Sequence, residues 1–573
     1  MEEILFEPVI TVEDVRKAEE VLIEYRSEKA ELDNRLIANE KWYRLRHWEE
    51  MRQGKKQSDP EPASAWLLNC IANKHADAMD NFPKPYVLPR EESDTEDAQM
   101  LSDILPVILE QNEYEQVYSD VWWSKLKGGT GVTGVFWNSS KHGGLGDVDI
   151  RKIDLMNLYW EPGITDIQSS RNVFYVKSVE NDVLTDIWPF LNGKLTGGRL
   201  ADAEYEAGRK STEKSVVVDW YYKKRINGCE RVHFVKFVCG QLLYASENDP
   251  KYRLRGYYDH GQYPFVFDVQ FVEADSPAGF GYIDVCKQPQ MYIDRLNQVI
   301  LKSAMLSASP RFFIRSDGAI NEQEYADWSR DFVHYQGGSS PQDSIKQIDV
   351  RGVDGSLLSI LKGKIDELKE TSGNRDFSQG ASSAGVTAAS AIMALQDAGG
   401  KLARDMLKSS YRAFTRMCNL IIELIRQFYD EPRCFRITGD GNARRFVRFS
   451  NARIRMHAQG EFGVDMGLRA PVFDIRVRAQ RSQPMLLLKK NELAKEFYQL
   501  GFFRPENAQQ ALICMEMMEF EGKEEMKEQI SKIAREHQES IGMQESMMKM
   551  ARILDAQNGT DIANGLQAAF EIG

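Results

Sequence analysis

The sequence predicts an α+β fold in which helical and strand-rich segments are separated along the chain. Apolar residues recur at helical spacing near the start, in the middle and at the end of the 573 residues. They alternate with polar residues over 131–272 and again over 434–480, a pattern typical of strands. A helix–insert–helix segment interrupts the two strand-rich regions. The sequence therefore predicts a body from which a hairpin of helices projects.

The first part of the chain is predicted to be helical. Thr11 and Asp14 form a capping-box variant that opens a charged helix running through the thirties. A second helical stretch is predicted over 63–80, and a third over 98–127.

Strands follow from about residue 131. Residues 131–138 and 147–154 flank a glycine-rich turn and predict a hairpin, and a further strand is predicted over 171–179. The strongest hairpin signal joins 215–226 to 229–238. The dipeptide between them, Asn-Gly, suits the type I′ turn that matches the twist of paired strands. One more strand, over 264–272, completes this module.

Two helices with an insert between them come next. The first is predicted from about Pro289 to Ser307, with one apolar stripe and one polar face. The apolar stripe consists of Ile293, Leu296, Ile300 and Ala304, and the polar face of Asp294, Gln298 and Lys302. The insert over 309–352 is predicted to hold a strand, a short helix and a second strand. Helical spacing returns over 356–370.

A loop of small residues follows the second helix. The stretch 371–395 reads TSGNRDFSQGASSAGVTAASAIMAL, in which Gly and Ser give the backbone freedom and Thr387 suits an N-cap. The helix that follows is predicted to continue to about Tyr429, weakened at Gly399 and Gly400. Residues 435–449 then predict a hairpin, and helical, Met-rich and Glu-rich sequence runs from Pro484 onward.

Composition indicates a folded protein that does not bind nucleic acid tightly. Apolar residues make up 42% and charged residues 28%, but the net charge is −13, and tight nucleic-acid binders usually carry a basic surplus. No apolar run is long enough to cross a bilayer, and the acidic N-terminus predicts no secretory signal. Seven cysteines without a CxxC pair favour reduced thiols over disulfides or a zinc site.

Sequence motifs for catalysis or for cofactor binding are absent. Each Gly-Lys pair lacks the upstream glycine of a phosphate-binding loop, and neither HExxH nor G-x-S-x-G occurs. Gly279 and Gly281 resemble the start of a dinucleotide fingerprint, but the third glycine is missing. Acidic pairs such as Asp147 and Asp149 are more simply explained as solvated surface. The sequence therefore predicts no catalytic residue, no cofactor and no metal site.

Three lysines form the most interesting charged set. Lys302 on the first helix, with Lys362 and Lys369 on the second, would meet phosphate at modest density if the two helices lined a pore. The alternative is ordinary ion pairing within and between the helices, with Asp294, Asp366 and Glu370 as partners. The sequence leaves both interpretations open.

Two stretches, together with the order of modules, resemble the portal proteins of tailed double-stranded DNA bacteriophages. They are GFGYIDVCKQPQMYIDRLNQVIL over 279–301, which resembles the start of a portal stem helix, and the loop stretch over 371–395. The resemblance implies a wing (1–280), a first stem helix (281–308), a clip (309–352), a second stem helix (353–374), a tunnel loop (375–388), a long wing helix (389–430), wing strands (431–483) and a helical crown (484–573).

The resemblance also implies a role and a set of partners. Portal proteins form a ring of usually twelve copies at one capsid vertex of the virion, are made in the host cytoplasm and conduct DNA during packaging and ejection. The implied partners are double-stranded DNA, the major capsid protein, scaffolding protein, the large terminase and a head-completion or adaptor protein, with no membrane. Implied tunnel-loop residues are Asp376, Phe377, Ser378, Gln379, Ser382 and Ser383. The implied docking surface of the clip is Arg311, Arg315, Asp317, Glu322, Glu324 and Arg330.

Two other functions are weighed against this one. A terminase subunit of the same packaging machinery would need a phosphate-binding loop, which the sequence lacks. A different virion ring or minor head protein would not need the helix–insert–helix segment, since simple adaptor rings are shorter. We therefore expect a structural conduit rather than an enzyme.

Overall fold

A computed structural model describes most of the chain as two compact units, Met1–Gln480 and Arg481–Gly573. Helices and strands are mixed in the first unit, which agrees with the predicted α+β class. The described residues are 8–52, 59–195, 214–226, 228–308, 311–314, 323–324, 334, 345–348, 355–373, 401–438, 444–461, 464–481, 494–502, 504–516 and 523–558.

Helices open the first unit. The first of them, α1 (Val12–Tyr43), begins as predicted, because the Asp14 carboxylate accepts hydrogen bonds from the Thr11 amide at 3.0 Å and from its hydroxyl at 2.8 Å. The helical region predicted over 98–127 consists of two helices. They separate at Glu113, whose left-handed φ of 49° ends the helical path. The other bounds are α2 (His47–Met51), α3 (Trp66–Met79), α4 (Thr95–Gln111) and α5 (Tyr114–Gly128).

Two antiparallel sheets follow in the chain. The strands up to residue 269 are β1 (Asn81–Pro89), β2 (Thr130–Asn138), β3 (Asp147–Ile153), β4 (Leu158–Trp160), β5 (Asn172–Glu180), β6 (Lys214–Ile226), β7 (Cys229–Val238), β8 (Gln241–Ala245) and β9 (Phe265–Val269). One sheet has the order β3-β2-β9 and the other the order β4-β5-β6-β7-β8. The pairings of β2 with β3 and of β6 with β7 confirm both predicted hairpins. A short helix, α6 (Asn181–Ile187), follows β5.

Helix α1 covers one face of the five-stranded sheet. Its residues Val15, Leu22 and Tyr25 are buried there, and the Tyr25 ring meets Phe174 edge-on with centres 5.9 Å apart. Burial of each such side chain contributes roughly 1.5–3 kcal/mol. The opposite face of the sheet joins the main core of the unit, which also contains the three-stranded sheet.

Two helices packed against each other follow β9. They are α7 (Tyr282–Ala308) and α8 (Gly355–Ser372), and the chain between them contains the antiparallel strands β10 (Arg311–Ile314) and β11 (Ile345–Ile348). Helix α7 begins seven residues before the predicted start at Pro289. The earlier start is stabilised by Asp284, whose carboxylate accepts a hydrogen bond from the Gly281 amide at 2.8 Å.

The glycines considered as part of a dinucleotide site instead allow two backbones to approach closely. A Cβ at Gly279 would lie 1.9 Å from the carbonyl oxygen of Phe271, and one at Gly281 would lie 2.8 Å from the amide nitrogen of Gly129. The Gly279 amide also donates to the Thr130 hydroxyl at 2.8 Å. Protein backbone thus fills the space beside these glycines, and it fixes the start of α7 against the end of α5.

The first unit ends with a long helix and a strand-rich segment. Helix α9 (Lys401–Phe428) buries an apolar stripe, for example Phe414, Ile421 and Ile425. The predicted weak point at 399–400 lies outside the described residues. The predicted strands over 434–480 are confirmed, with two hairpins among them. They are β12 (Arg433–Thr438), β13 (Arg444–Phe449), β14 (His457–Glu461), β15 (Val464–Arg469) and β16 (Phe473–Arg481).

The described part of the second unit is helical, as predicted for the sequence after Pro484. Its longest elements are α10 (Ala508–Glu516) and α11 (Lys523–Asn558). They pack on each other through a small core of Ala508, Ala511, Met515 and Ile530.

Candidate functional site

The candidate site is the pair α7 and α8, because these helices carry the three lysines singled out in the sequence. Helix α8 packs against α7, and its Leu368 is buried. On α7, Ile293 is buried whereas Ala304, farther along the same stripe, is exposed. At the edge of the contact the Lys364 ammonium lies 5.5 Å from the centre of the Tyr292 ring. The pair therefore has a packed base on the body and becomes more exposed along its length.

Two of the three lysines contact residues at or before the start of α3. The Lys302 ammonium forms a half-exposed ion pair with Asp59 at 2.9 Å, not with Asp294. The Lys369 ammonium lies 5.7 Å from the centre of the Trp66 ring, within the range of a cation–π contact. Lys362 is exposed. Whether these lysines face a channel stays a prediction.

The other site residues named from the sequence are described only in small part. Arg311 lies in β10, where its backbone pairs with Ile348. The Glu324 carboxylate accepts a hydrogen bond from the His334 amide at 2.9 Å and lies 2.8 Å from its Nδ1. The remaining clip and tunnel-loop residues lie outside the described ranges: Arg315, Asp317, Glu322, Arg330, Asp376, Phe377, Ser378, Gln379, Ser382 and Ser383.

An extended segment, residues 59–64, lies along the polar face of α7, and we call it the strap. Beneath it Asp294 and Gln298 are buried. The Ser64 amide donates to Asp294 Oδ1 at 2.9 Å, and Gln298 Nε2 donates to the carbonyl oxygen of Pro60 at 2.9 Å. Gln290 Nε2 donates to the Ser64 carbonyl oxygen, also at 2.9 Å. Together with the Lys302–Asp59 pair, these bonds hold the strap over several turns of the helix.

A fully buried pair of His47 and Asp294 lies at one end of the strap. His47 Nδ1 is 2.6 Å from Asp294 Oδ2, and both side chains are 0% exposed. His47 Nε2 is 2.9 Å from the Trp42 carbonyl oxygen, which can only accept, so Nε2 carries a proton. A second proton lies between Nδ1 and Oδ2. This short, buried hydrogen bond joins α2 to α7.

Sequence reasoning missed the strap and the His47–Asp294 pair. Polar residues four apart, such as Gln290, Asp294 and Gln298, also occur on helix faces that are open to solvent, so their spacing does not show what covers them. The sequence does contain one indication of the strap: Pro60 and Pro62 disfavour a helix and favour an extended backbone.

A second polar cluster is buried too deeply to meet a substrate. Lys125 Nζ lies 2.7 Å from both Asp268 Oδ1 and Ser410 Oγ, and the Ser410 hydroxyl lies 2.5 Å from Asp268 Oδ2. Lys125 is 0% exposed, so the cluster acts as a link between α5, β9 and α9. On α7, burial raises the pKa of the Cys286 thiol to about 12, and this thiol stays protonated at neutral pH.

Neither a metal site nor a membrane-spanning helix is found among the described residues. Those residues contain no group of His, Cys, Asp and Glu side chains arranged to hold a metal ion. None of their helices has the length and hydrophobicity needed to cross a bilayer.

Comparison with known protein families gives a match over most of the chain. A family model described as phage P22-like portal protein matches residues 76–238 and 229–570, a span that includes α7, α8 and the strands β1 to β16. Among curated proteins no match was found.

Proposed function

The chain belongs to the phage P22-like portal protein family, and from this premise we propose that it forms a ring at one vertex of the capsid, through which DNA is packaged and ejected. In this proposal the protein is a passive conduit without enzymatic turnover. The ring binds the major capsid protein and scaffolding protein, and it is the docking platform for the large terminase and for a head-completion or adaptor protein.

One observation carries the proposal of a ring: large apolar side chains are exposed on the pair α7 and α8. Exposed apolar groups of this kind mark contact surfaces. On α7 they occupy roughly opposite sides of the helix, as a head-to-tail ring contact needs, since it joins two different surfaces of neighbouring copies. These side chains are Tyr292, Val299, Leu301 and Met305 on α7 and Leu358 and Ile360 on α8.

The proposed assignment of modules follows the sequence analysis. In it α7 and α8 are the stem, residues 309–352 the clip, 375–388 the tunnel loop and 484–573 the crown. Residues 1–280 and 389–483 form the wing. Lys302, Lys362 and Lys369 would then moderate the repulsion between DNA and a strongly acidic ring. Loose contact of this kind suits a conduit in which DNA slides.

The test is the assembly state of the purified full chain, by mass photometry and cryo-electron microscopy. We expect closed rings of about twelve copies with a central channel, as in a cyclic assembly. The double substitution Leu358→Glu with Ile360→Glu should abolish the rings without unfolding the chain. A matched control is Val183→Glu with Ile187→Glu, which places two charges at exposed apolar positions of α6 and should leave the rings intact.

The proposal would be contradicted by a monomer that hydrolyses ATP or cuts DNA. It would also be contradicted if the stem and control variants assembled equally well, because the exposed apolar side chains would then not form the contact.

A further inference from the structure

The strand-rich end of the first unit has an unusual charge. Between residues 433 and 481 the sequence contains eleven arginines, no lysine and four acidic residues, in a chain whose net charge is −13. Arginine forms a planar, two-pronged contact with phosphate or carboxylate, which the ammonium of lysine cannot form. A segment that uses arginine alone therefore points to a surface for anions.

Some of these arginines already have structural roles. Arg433 is buried and donates to the carbonyl oxygens of Gly146 at 2.7 Å and Leu145 at 3.1 Å. Arg453 forms ion pairs with Glu96 at 2.9 Å and Asp97 at 3.2 Å. These two cannot bind a partner without breaking the fold.

The hairpin of β12 and β13 presents other arginines to solvent. Arg436 pairs with Phe446 in the register, and Arg448 lies two residues beyond Phe446, on the same face. Both arginines are exposed and Phe446 is 70% exposed, and we call these three residues the arginine face. The reverse side of the hairpin is fixed to the core by buried Phe435, Val447 and Phe449. Within the described ranges, neither Arg436 nor Arg448 forms an ion pair.

We propose that the arginine face binds the phosphate backbone of double-stranded DNA, at a surface separate from the stem lysines. Arg436 and Arg448 are diagonal neighbours on paired strands, with backbones about 7–8 Å apart, so that two guanidinium groups flank one apolar ring. Each guanidinium would contact a phosphate, and Phe446 would pack on the sugar between them. The contact carries no base specificity.

The chain's negative charge limits this binding. Because the rest of the protein repels DNA, the contact is weak and depends strongly on salt. The choice of DNA, rather than an acidic protein, as the polyanion rests on the proposed function. The arginine face itself does not require a closed ring.

The test is the binding of a fluorescent 30-base-pair duplex (about three helical turns) to the full chain, measured by anisotropy from about 50 to about 300 mM salt. We expect Arg436→Glu with Arg448→Glu to weaken binding at least tenfold, on the order of 1.4 kcal/mol. Losing two phosphate contacts should also flatten the slope of log K against log salt by about 2. The control is Arg16→Glu with Lys17→Glu on exposed positions of α1, an equal change of charge.

Each outcome of this experiment either supports the proposal or overturns it. Absence of duplex binding by the wild type at the lowest salt overturns it, as does equal loss in both variants. Tighter binding of polyglutamate than of duplex overturns it in favour of an acidic protein segment. If the variant Arg436→Glu with Arg448→Glu unfolds, the variant Arg436→Gln with Arg448→Gln is measured in its place. Mass photometry of the same samples reports ring formation separately, so failure of this inference is distinguished from failure of the proposed function.

Discussion

At the scale of single residues, the His47–Asp294 pair shows how the body is joined to α7. The carboxylate of Asp294 contacts His47, the Ser64 amide and Gln290 Nε2 at 2.6, 2.9 and 3.1 Å. Removing one member of a buried pair leaves the other buried without a partner, which is strongly destabilising. An exposed ion pair, in contrast, contributes little to the free energy of unfolding. The stability of this joint therefore depends on Asp294 far more than on the exposed ion pairs of the same surface.

Substitution of Asp294 should be strongly destabilising. We expect Asp294→Asn to lower the free energy of unfolding of the first unit by about 3 kcal/mol, because the amide has one acceptor oxygen where the carboxylate has two, so that either His47 Nδ1 or the Ser64 amide loses its acceptor in a buried site. Asp59→Asn, which removes the half-exposed pair with Lys302, is the matched control and should cost less than about 1 kcal/mol. Urea denaturation followed by tryptophan fluorescence measures both values. Equal losses would show that the buried pair has no special role.

His260 provides a pH dependence with a defined sign. Burial lowers the pKa of His260 to about 4, and Asp259 only partly opposes this effect. Its Nδ1 accepts a hydrogen bond from the Gln262 amide at 3.0 Å, as an unprotonated ring nitrogen does. In the unfolded chain the pKa of histidine is about 6.5. Between these two values the unfolded state binds a proton that the folded state does not, so stability falls as the pH falls.

The expected loss through His260 between about pH 7.5 and about pH 5 is about 2 kcal/mol. His260→Asn cannot titrate, so the stability of this variant should fall by correspondingly less over the same range. Urea denaturation of both proteins at the two pH values provides the comparison. Parallel losses in the two proteins would rule out His260 as the source.

At the scale of elements, the position of α7 depends on glycines where its start meets the end of α5. Gly281 has backbone atoms of residues 126, 127 and 129 within 2.8 Å of where its Cβ would be. Backbone cannot yield as a flexible side chain can, so the whole helix would have to shift. In contrast, Gly363 on α8 has no atom within 4 Å of its Cβ position.

The two glycines should respond in opposite directions to the same substitution. Gly281→Ala should lower the melting temperature by several degrees, since a loss of more than about 2 kcal/mol is expected from overpacking. Gly363→Ala should raise helix stability by about 0.5–1 kcal/mol, because alanine is the better helix former. Differential scanning calorimetry measures both. A stable Gly281→Ala variant would show that the two backbones can separate freely.

The elements that the sequence predicts well are those set by local pattern. The capping residues Thr11 and Asp14, the hairpins β2–β3 and β6–β7 and the helix α8 follow from neighbouring residues and are confirmed. The break at Glu113 was missed, because glutamate gives no turn signal. The site was harder to predict: the partner of Lys302 is 243 residues away, and no local pattern connects them. The tunnel loop and most clip residues stay predictions.

At the scale of the whole molecule, the division after Gln480 separates two cores. The first unit contains both large sheets and the buried polar clusters, and the described core of the second unit is a small group of residues on α10 and α11. Stability of the first unit should therefore not depend on the second.

Truncation tests this independence. A chain ending at Gln480 should keep a cooperative thermal transition close to that of the full protein, as followed by circular dichroism. A chain beginning at Arg46 is the contrasting control, because it lacks α1 and leaves one face of the five-stranded sheet uncovered. We expect that variant to be insoluble or unfolded. If both truncations behaved alike, the division after Gln480 would not be one of folding stability.

The strap has a mechanical consequence. Besides the strap, Asn39 on α1 bonds to Asp284 at 2.9 Å and Lys287 pairs with Glu50 at 2.8 Å. Successive turns of α7, from Asp284 to Lys302, are thus clamped to the N-terminal segment, and the helix resembles a beam fixed along most of its length rather than a rod on a hinge. A force applied at its far end would be carried by α1 into the five-stranded sheet and spread over a wide area. Bending would be concentrated beyond Lys302, where the clamp ends.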